Sequence, residues 1–237
     1  MNAETGADSL KKLAIIPAYN EEESIIRTVE DLRANAPGYD CLVINDCSKD
    51  DTLDLCLRHG IRVLDVSVNL GIGGAVQTGY LYAYRNGYDI AVQFDGDGQH
   101  DARYLSLMAD TLLAESADMV IGSRFIQKDG FQSTSARRFG IRYFTGLLRL
   151  LFGRTITDPT SGFRMCSRRT IQLFVKSYPR DYPEPETAGR LLRKKWKIVE
   201  VPVSMRERTG GTSSISAGKA LYYMIKVTLA ILIERLR

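Results

Sequence analysis

The sequence has no run of about 18 uninterrupted apolar residues, so it offers no helix that clearly spans a membrane. Its opening stretch, Met1–Lys12, is polar and lacks the apolar core of a secretory signal. Cysteine is sparse. Cys41, Cys47, Cys56 and Cys166 form no C-x-x-C pair and no zinc spacing, which points to reduced thiols in a cytosolic protein. A strong charge of one sign is also missing. The net charge of +4 is mild and makes no case for a nucleic-acid partner. No G-x-G-x-x-G follows the first strand-like run, and no G-K-[ST] follows the Gly-rich turn at 71–74. A dinucleotide fingerprint and a phosphate-binding P-loop are both excluded.

What is present is ordinary in bulk and specific in arrangement. With 44% hydrophobic and 25% charged residues, the 237 residues suit one large α/β domain or two small ones. The organising stretch is IAVQFDGDGQH, Ile90–His100. Its apolar start reads as a buried parallel strand, which breaks into Asp95-Gly96-Asp97-Gly98-Gln99. Two carboxylates at a strand end, with Gly on either side of Asp97, fit a hard cation such as Mg²⁺ or Mn²⁺ that bridges protein to diphosphate. A plain Asp/Gly turn with solvated carboxylates is the alternative.

Taken in order, the chain alternates strands and helices. Leu13–Ile16 is a strand, followed by Pro17-Ala18-Tyr19-Asn20-Glu21 and a helix over 24–34. A strand at Cys41–Asn45 ends in Asp46, and Ser48 or Asp50 is placed to cap the helix Thr52–His59, which Gly60 ends. The strand Ile61–Val66 leads through the Gly-rich turn into a helix reaching Asn86. There the glycines let the backbone pass close to a nucleotide or a neighbouring strand, or simply turn it. After Asp97 come a helix over Tyr104–Glu115 and the strand Met119–Gly122. This alternation predicts βαβ units and a mostly parallel sheet, with ligands at the strands' C-terminal ends. Pro17, Asp46, Gly71/Gly73, Asp95/Asp97 and Ser123/Arg124 all fall at such ends.

The second half is more basic. Arg137, Arg138, Arg142, Arg149 and Arg154 interleave with Phe139, Tyr143, Phe144 and several leucines. As a helix this segment is basic and amphipathic, suited to a membrane interface or a lipid phosphate, or to core packing with a solvated face. Asp158–Arg164 is a turn with a carboxylate and an arginine. Ser167–Ser177 reads as a helix, Tyr182–Lys195 as another with Glu184 and Glu186 near its start, and Ile198–Val203 as an edge strand. Arg206–Ser214 is a basic, hydroxyl-rich loop fit to close over a diphosphate, or a linker. Gly218–Arg237 is a helix too short and interrupted to span, suited to docking on a membrane interface or an apolar partner.

The motifs, in order, are P-A-Y-N-E at 17–21, N-D-C-S-K-D-D-T at 45–52, N-L-G-I-G-G-A at 69–75, F-D-G-D-G-Q-H at 94–100, G-S-R at 122–124, D-P-T-S-G-F-R at 158–164, E-V-P-V at 200–203 and R-T-G-G-T-S-S at 208–214. In this order the chain resembles family 2 glycosyltransferases of the GT-A fold, over about Leu13–Ser214. Within them it is similar to the polyprenyl-phosphate, dolichol-phosphate mannose synthase-like branch. The resemblance implies a Rossmann-like, mostly parallel central sheet flanked by helices, in a GT-A domain over 1–214. The C-terminal amphipathic helix, 215–237, is then a membrane- or partner-docking element. It implies that Pro17, Tyr19, Glu21, Ile44, Asp46, Gly73, Asp95, Gly96, Asp97, Arg124, Arg208 and Ser214 bind a nucleotide sugar. Asp95, Asp97 and Gln99 hold Mg²⁺ or Mn²⁺, and Asp97 and Arg208 serve the chemistry. If the acceptor is a sugar hydroxyl, Asp158 or Glu186 is the base. The departures are Ser214, where the synthases carry Lys, and Ile72, where a basic residue is common. Y-P-E-P-E at 182–186 resembles bacterial relatives in surface-polysaccharide pathways.

The expected activity is inverting, metal-dependent transfer of a hexose from a UDP- or GDP-sugar to a polyprenyl phosphate at the cytoplasmic face of the membrane. The alternatives are transfer to a saccharide hydroxyl, and a non-catalytic nucleotide-sugar-binding scaffold. The membrane surface, or a small membrane-protein partner, is the expected docking partner, and a homodimer stays open.

Overall fold

The apolar runs at Ile90–Gln93 and Met119–Ser123, and most of the one at Lys12–Ala18, become strands buried on both faces, which is why they read as continuous rather than alternating. The computed structural model describes residues 10–127, 135–206 and 217–236. Its strands are β1 (Lys12–Ala18), β2 (Tyr39–Asn45), β3 (Val63–Asp65), β4 (Ile90–Gln93), β5 (Met119–Ser123), β6 (Arg164–Ser167) and β7 (Ile198–Pro202). Its helices are α1 (Ile25–Asn35), α2 (Thr52–Arg58), α3 (Gly71–Arg85), α4 (Tyr104–Ala114), α5 (Ser135–Phe152), α6 (Arg168–Lys176), α7 (Pro183–Arg193) and α8 (Ala217–Leu236). The strands form one 7-stranded sheet in the order β3-β2-β1-β4-β6-β5-β7. β6 runs antiparallel between β4 and β5, and the remaining pairs are parallel.

Alternate residues of each strand feed two cores. Ala14 and Ile16 meet Ile25, Val29 and Leu32 of α1 and Leu105 and Met108 of α4 on one face. Leu13 and Ile15 join Val76 and Tyr80 of α3, Phe144 and Leu148 of α5, Phe174 of α6 and Leu191 of α7 on the other. Gly79 brings α3 tight onto β1, since a Cβ there would lie 2.2 Å from Ile15 Cγ2.

The expected elements are present, with local corrections. Pro17 lies inside β1, opposite Ile44. Ile15 O accepts from Phe94 N–H on the β4 side, and Ala18 O from Asp46 N–H on the β2 side. By alternation Pro17 faces β4, whose ladder stops at Ile15–Gln93, so its missing N–H costs no sheet bond. At α2, Asp50 and not Ser48 satisfies a first-turn donor. Asp50 Oδ1 accepts from Thr52 N–H at 3.1 Å, while Ser48 Oγ accepts from Asn20 N–H at 3.0 Å. β6 was not expected as a strand, and its insertion makes the sheet mixed. β7 occupies the sheet edge as expected. The boundary expected at 214/215 lies outside the described residues.

α8 packs on α7 and α5 through Val227 and Ile231, which are buried. Glu234, also buried, pairs with Arg190 at 3.0 Å and Arg193 at 3.2 Å on α7. Replacing Glu234 by Ala leaves those guanidinium groups short of their counter-charge in a dry contact. The expected loss is about 3 kcal/mol, read as a lower urea midpoint. Asp54→Ala removes a pair whose side chains are 65% and 63% exposed. It is expected to cost under about 0.5 kcal/mol.

Candidate active site

The C-terminal ends of β1, β2, β4 and β5 place Tyr19, Asp46, Asp95 and Arg124 just past the sheet. At the centre, Asp95 and Asp97 flank Gly96 beyond β4. Gly96 passes under the end of β1, where a Cβ would lie 3.1 Å from Pro17 O. Asp95 Oδ1 accepts from Gln93 Nε2 at 2.9 Å. Its backbone N–H donates to His100 Nδ1 at 3.0 Å. Asp97 Oδ1 accepts from Gln99 N–H at 3.0 Å. Gln99 exchanges contacts with the chain beyond β7: its O accepts from Arg206 N–H at 2.9 Å, and its Nε2 donates to Arg206 O at 3.5 Å.

Several residues expected at the nucleotide already have partners within the fold. Ile44 is fully buried in the core under α3, because the strand alternation at the end of β2 turns its side chain inward. It is a packing residue. Asp46 is buried, and both its oxygens cap α3: Oδ1 accepts from Leu70 N–H at 2.7 Å and Oδ2 from Gly71 N–H at 2.9 Å. A carboxylate on a helix N-terminus is stabilised by the orphan donors and the dipole there, and this one is already engaged. Gly73 makes its close approach to a loop rather than to a neighbouring strand. It lies under the segment before α7, where a Cβ would fall 2.0 Å from Pro179 O, and its N–H donates to Arg180 O at 3.0 Å. Tyr19 stays exposed beside the site. Glu21 sits at the start of the α1 turn, its Oε2 accepting from Ser24 Oγ at 2.9 Å. Arg208 and Ser214 lie outside the described residues.

Arg124 and Asp158, expected on the substrate and as a base, grip each other. Arg124 Nε donates to Asp158 Oδ2 at 2.7 Å and Nη2 to Oδ1 at 2.8 Å, and both residues are buried. Glu200 Oε1 and Oε2 hold the backbone N–H groups of Asp158 and Thr157 at 2.9 and 2.7 Å. Asp158 thus anchors Arg124, with both of its oxygens engaged by the guanidinium. Glu186 pairs with Arg190 at 3.5 Å.

The residues that sequence reading passed over lie beneath. Arg164, 1% exposed, donates to Ser161 O, Pro159 O and Glu184 O, each at 2.6 Å, and to Thr187 Oγ1 at 3.0 Å. Two helix residues apart is about 200° of rotation, so Glu184 and Glu186 look opposite ways. Glu184 faces the charges of Arg164, Asp95 and Arg137, and burial pushes its carboxyl up to about 7 against the pull of Arg164. The Y-P-E-P-E spacing carried the signal that only one of the pair faces the site.

Three comparisons agree on what surrounds this geometry. A family model described as Glycosyl transferase family 2 matches residues 13–174. The chain belongs to that family. An undecaprenyl-phosphate mannosyltransferase of Micrococcus luteus is 31% identical over 229 residues, covering 92% of this chain and 93% of the relative. A polyprenol monophosphomannose synthase of Mycolicibacterium smegmatis is 30% identical over 227 residues, covering 92% and 85%. Glucosyl-3-phosphoglycerate synthase of Mycobacterium tuberculosis, solved with Mn²⁺, UDP and glucosyl-3-phosphoglycerate, superposes with a TM-score of 0.72 at 21% identity, over 96% of this chain and 80% of that one. The fold is GT-A, and the protein is a glycosyltransferase rather than a non-catalytic scaffold.

The raised Glu184 carboxyl makes stability pH-dependent. The unfolded group titrates near 4.5 and the folded one near 7, so the folded state holds the extra proton between them. Stability is expected to be highest below pH 4.5 as far as this group is concerned, to fall as pH rises to about 7, and then to level off. The drop is on the order of 3 kcal/mol. Glu184→Gln should flatten that slope in urea titrations across the window.

Proposed function

We propose that the protein transfers a hexose from a UDP- or GDP-sugar to a polyprenyl phosphate, with inversion, while docked at the cytoplasmic face of the membrane. The observation that carries the reading is the Asp95–Asp97 pair at the centre of the sheet edge, in a chain whose relatives are named for polyprenyl-phosphate sugar transfer.

The donor set fits a hard divalent cation. Asp95 and Asp97 are both partly accessible oxygen ligands. Gln99 sends its amide nitrogen toward Arg206 O, which leaves its oxygen for a ligand. Among the described residues no three His, Cys, Asp or Glu converge, so the protein alone builds no closed cage. That suits Mg²⁺ or Mn²⁺, which complete their shells with diphosphate oxygens and water. When bound, the cation would offset the charge that develops on the departing nucleoside diphosphate. Tyr19 borders the space for the base, and Gly96 lets the chain pass close without a side chain. A lipid phosphate is already anionic and attacks C1 from the far face with no strong base. The arginine-paired states of Asp158 and Glu186 are consistent with that.

The membrane side of the proposal rests on α5 and α8. Tyr222, Ile225, Leu229, Ile233 and Leu236 stand exposed on α8, and Phe139 and Leu150 on α5, where Arg137, Arg138, Arg142 and Arg149 also lie. An apolar stripe beside basic side chains matches an anionic lipid surface. No helix among the described residues is long and apolar enough to cross a membrane.

One observation favours a second acceptor class. A carboxyl poised near 7, as at Glu184, is suited to take a proton from a saccharide hydroxyl. Acceptor profiling with polyprenyl phosphate and free saccharides separates the two.

The direct experiment is calorimetric titration of UDP and of GDP, each with and without Mn²⁺. Metal-dependent binding of one nucleotide is expected, lost in Asp97→Ala, and turnover by that variant at the wild-type rate would sink the metal reading. On vesicles containing anionic lipid, the Ile225→Glu, Leu229→Glu double variant is expected to co-sediment at least fivefold less, and added salt to weaken the wild type. Salt-insensitive binding shared equally by both proteins would count against membrane docking through this face.

A further inference from the structure

His100 closes the D-G-D-G-Q-H motif, yet it carries no substrate-facing role. It is 3% exposed and lies flat on Phe163, ring centroids 4.6 Å apart at 14°, with Phe94 edge-on at 5.4 Å. The aromatic pair fixes the ring plane. Nδ1 accepts the Asp95 backbone N–H at 3.0 Å, so Nδ1 bears no proton. A neutral imidazole with an accepting Nδ1 carries its hydrogen on Nε2. Nε2 stands 3.6 Å from Asp95 Oδ2. That is too long for a hydrogen bond but close enough for the N–H dipole to favour the carboxylate.

Around the same carboxylate, Gln93 Nε2 holds Oδ1. Gln93 is 1% exposed, and its Oε1 has no partner among the described residues. Gly162 closes the third side. A Cβ there would lie 2.8 Å from Asp95 Oδ2 and 2.9 Å from Gln93 Nε2. Asp95 is thereby held at its backbone by His100, at Oδ1 by Gln93, and against a glycine that leaves it just enough room. Of the two Asp95 carboxylate oxygens, Oδ2 is the one that accepts no hydrogen bond from this ring of contacts.

We propose that His100 is a positioning residue for Asp95: its Nδ1 fixes the strand-end backbone, and its Nε2–H, with Gln93, selects the carboxylate orientation that presents Oδ2 to the donor's metal. The inference rests on the metal-dependent reading above. The physical logic is that of the groups behind metal ligands, which orient the ligand and tune its basicity, and whose loss lowers metal affinity about 10- to 100-fold.

The test uses the full chain and two substitutions that separate the ring's roles. His100→Phe keeps the stack on Phe163 and removes both nitrogens. His100→Asn can return an acceptor to the Asp95 N–H but supplies no group at the Nε2 position. Mn²⁺ binding in the presence of saturating UDP or GDP is followed by the loss of the free-Mn²⁺ electron paramagnetic resonance signal, with thermal unfolding recorded in parallel. The expected result is an Mn²⁺ Kd raised about tenfold or more in His100→Phe and by less in His100→Asn. The nucleotide Kd without metal should stay unchanged in both. In turnover, raised Mn²⁺ should recover the rate of His100→Asn further than that of His100→Phe. Wild-type Mn²⁺ affinity in a folded His100→Phe, or in His100→Asn and Gln93→Leu together where His100→Phe does not fold, overturns the inference and leaves the function standing. A wild-type protein that binds no Mn²⁺ with either nucleotide overturns the metal reading and this inference with it.

Discussion

The site depends on a guanidinium buried almost completely from solvent. Arg164 opens β6, opposite Gln93 of β4 and Ile121 of β5. Its donors are taken by the carbonyls of Pro159, Ser161 and Glu184 and the hydroxyl of Thr187. A buried charge of this kind is tolerable only where its donors are met with good geometry. Meeting them fixes several things together: the 158–163 turn, the placement of Gly162 against Asp95, and the first turn of α7. The short antiparallel strand is therefore what bolts the turn carrying Asp158 and the helix carrying Glu184 onto the parallel half that carries Asp95. Arg164 adds to this the tie between that turn and the first turn of α7.

The same charge explains a balance at Glu184. Burial raises that carboxyl, Arg164 lowers it, and Asp95 raises it again. A cation held at Asp95 would therefore draw Glu184 toward its ionised form by ordinary Coulomb attraction.

Much of this was legible in the sequence because strand ends are. Strand-like runs read at Cys41–Asn45, from Ile90 and at Met119–Gly122 place Asp46, Asp95 and Arg124 on one edge with no tertiary knowledge. What a side chain does at that edge is not local. Asp46 looks like a ligand residue, but the start of α3 claims both of its oxygens, a pairing more than 20 residues away. Arg124 and Asp158 each suggest chemistry, and they meet only because β6 brings the 158 turn beside β5. Ile44 was carried over by resemblance alone, and strand alternation turns it into the core. β6 was missed for a physical reason as well. With four residues, Arg164 leading them and a helix immediately after, it shows no periodicity of its own and takes its partners from strands some 40 and 70 residues earlier.

The tail helix shows how a polar contact serves an apolar surface. Val227 and Ile231 alone would let α8 roll, since a helix with apolar residues on several sides has no unique buried stripe. Glu234 removes that freedom. Its carboxylate must face Arg190 and Arg193, and positions 227, 231 and 234 then point inward together. Tyr222, Ile225, Leu229, Leu232, Ile233 and Leu236 are left on the outer side by geometry rather than by preference. Burying an ion pair gains little net stability, but a wrong rotation would strand a carboxylate without its arginines. The orientation of the outer stripe is therefore set from inside the protein, before anything docks on it. Through the ring contact of Tyr223 with Tyr182 and the ion pair of Lys226 with Asp181, that orientation is tied to the segment lying over Gly73 at the head of α3.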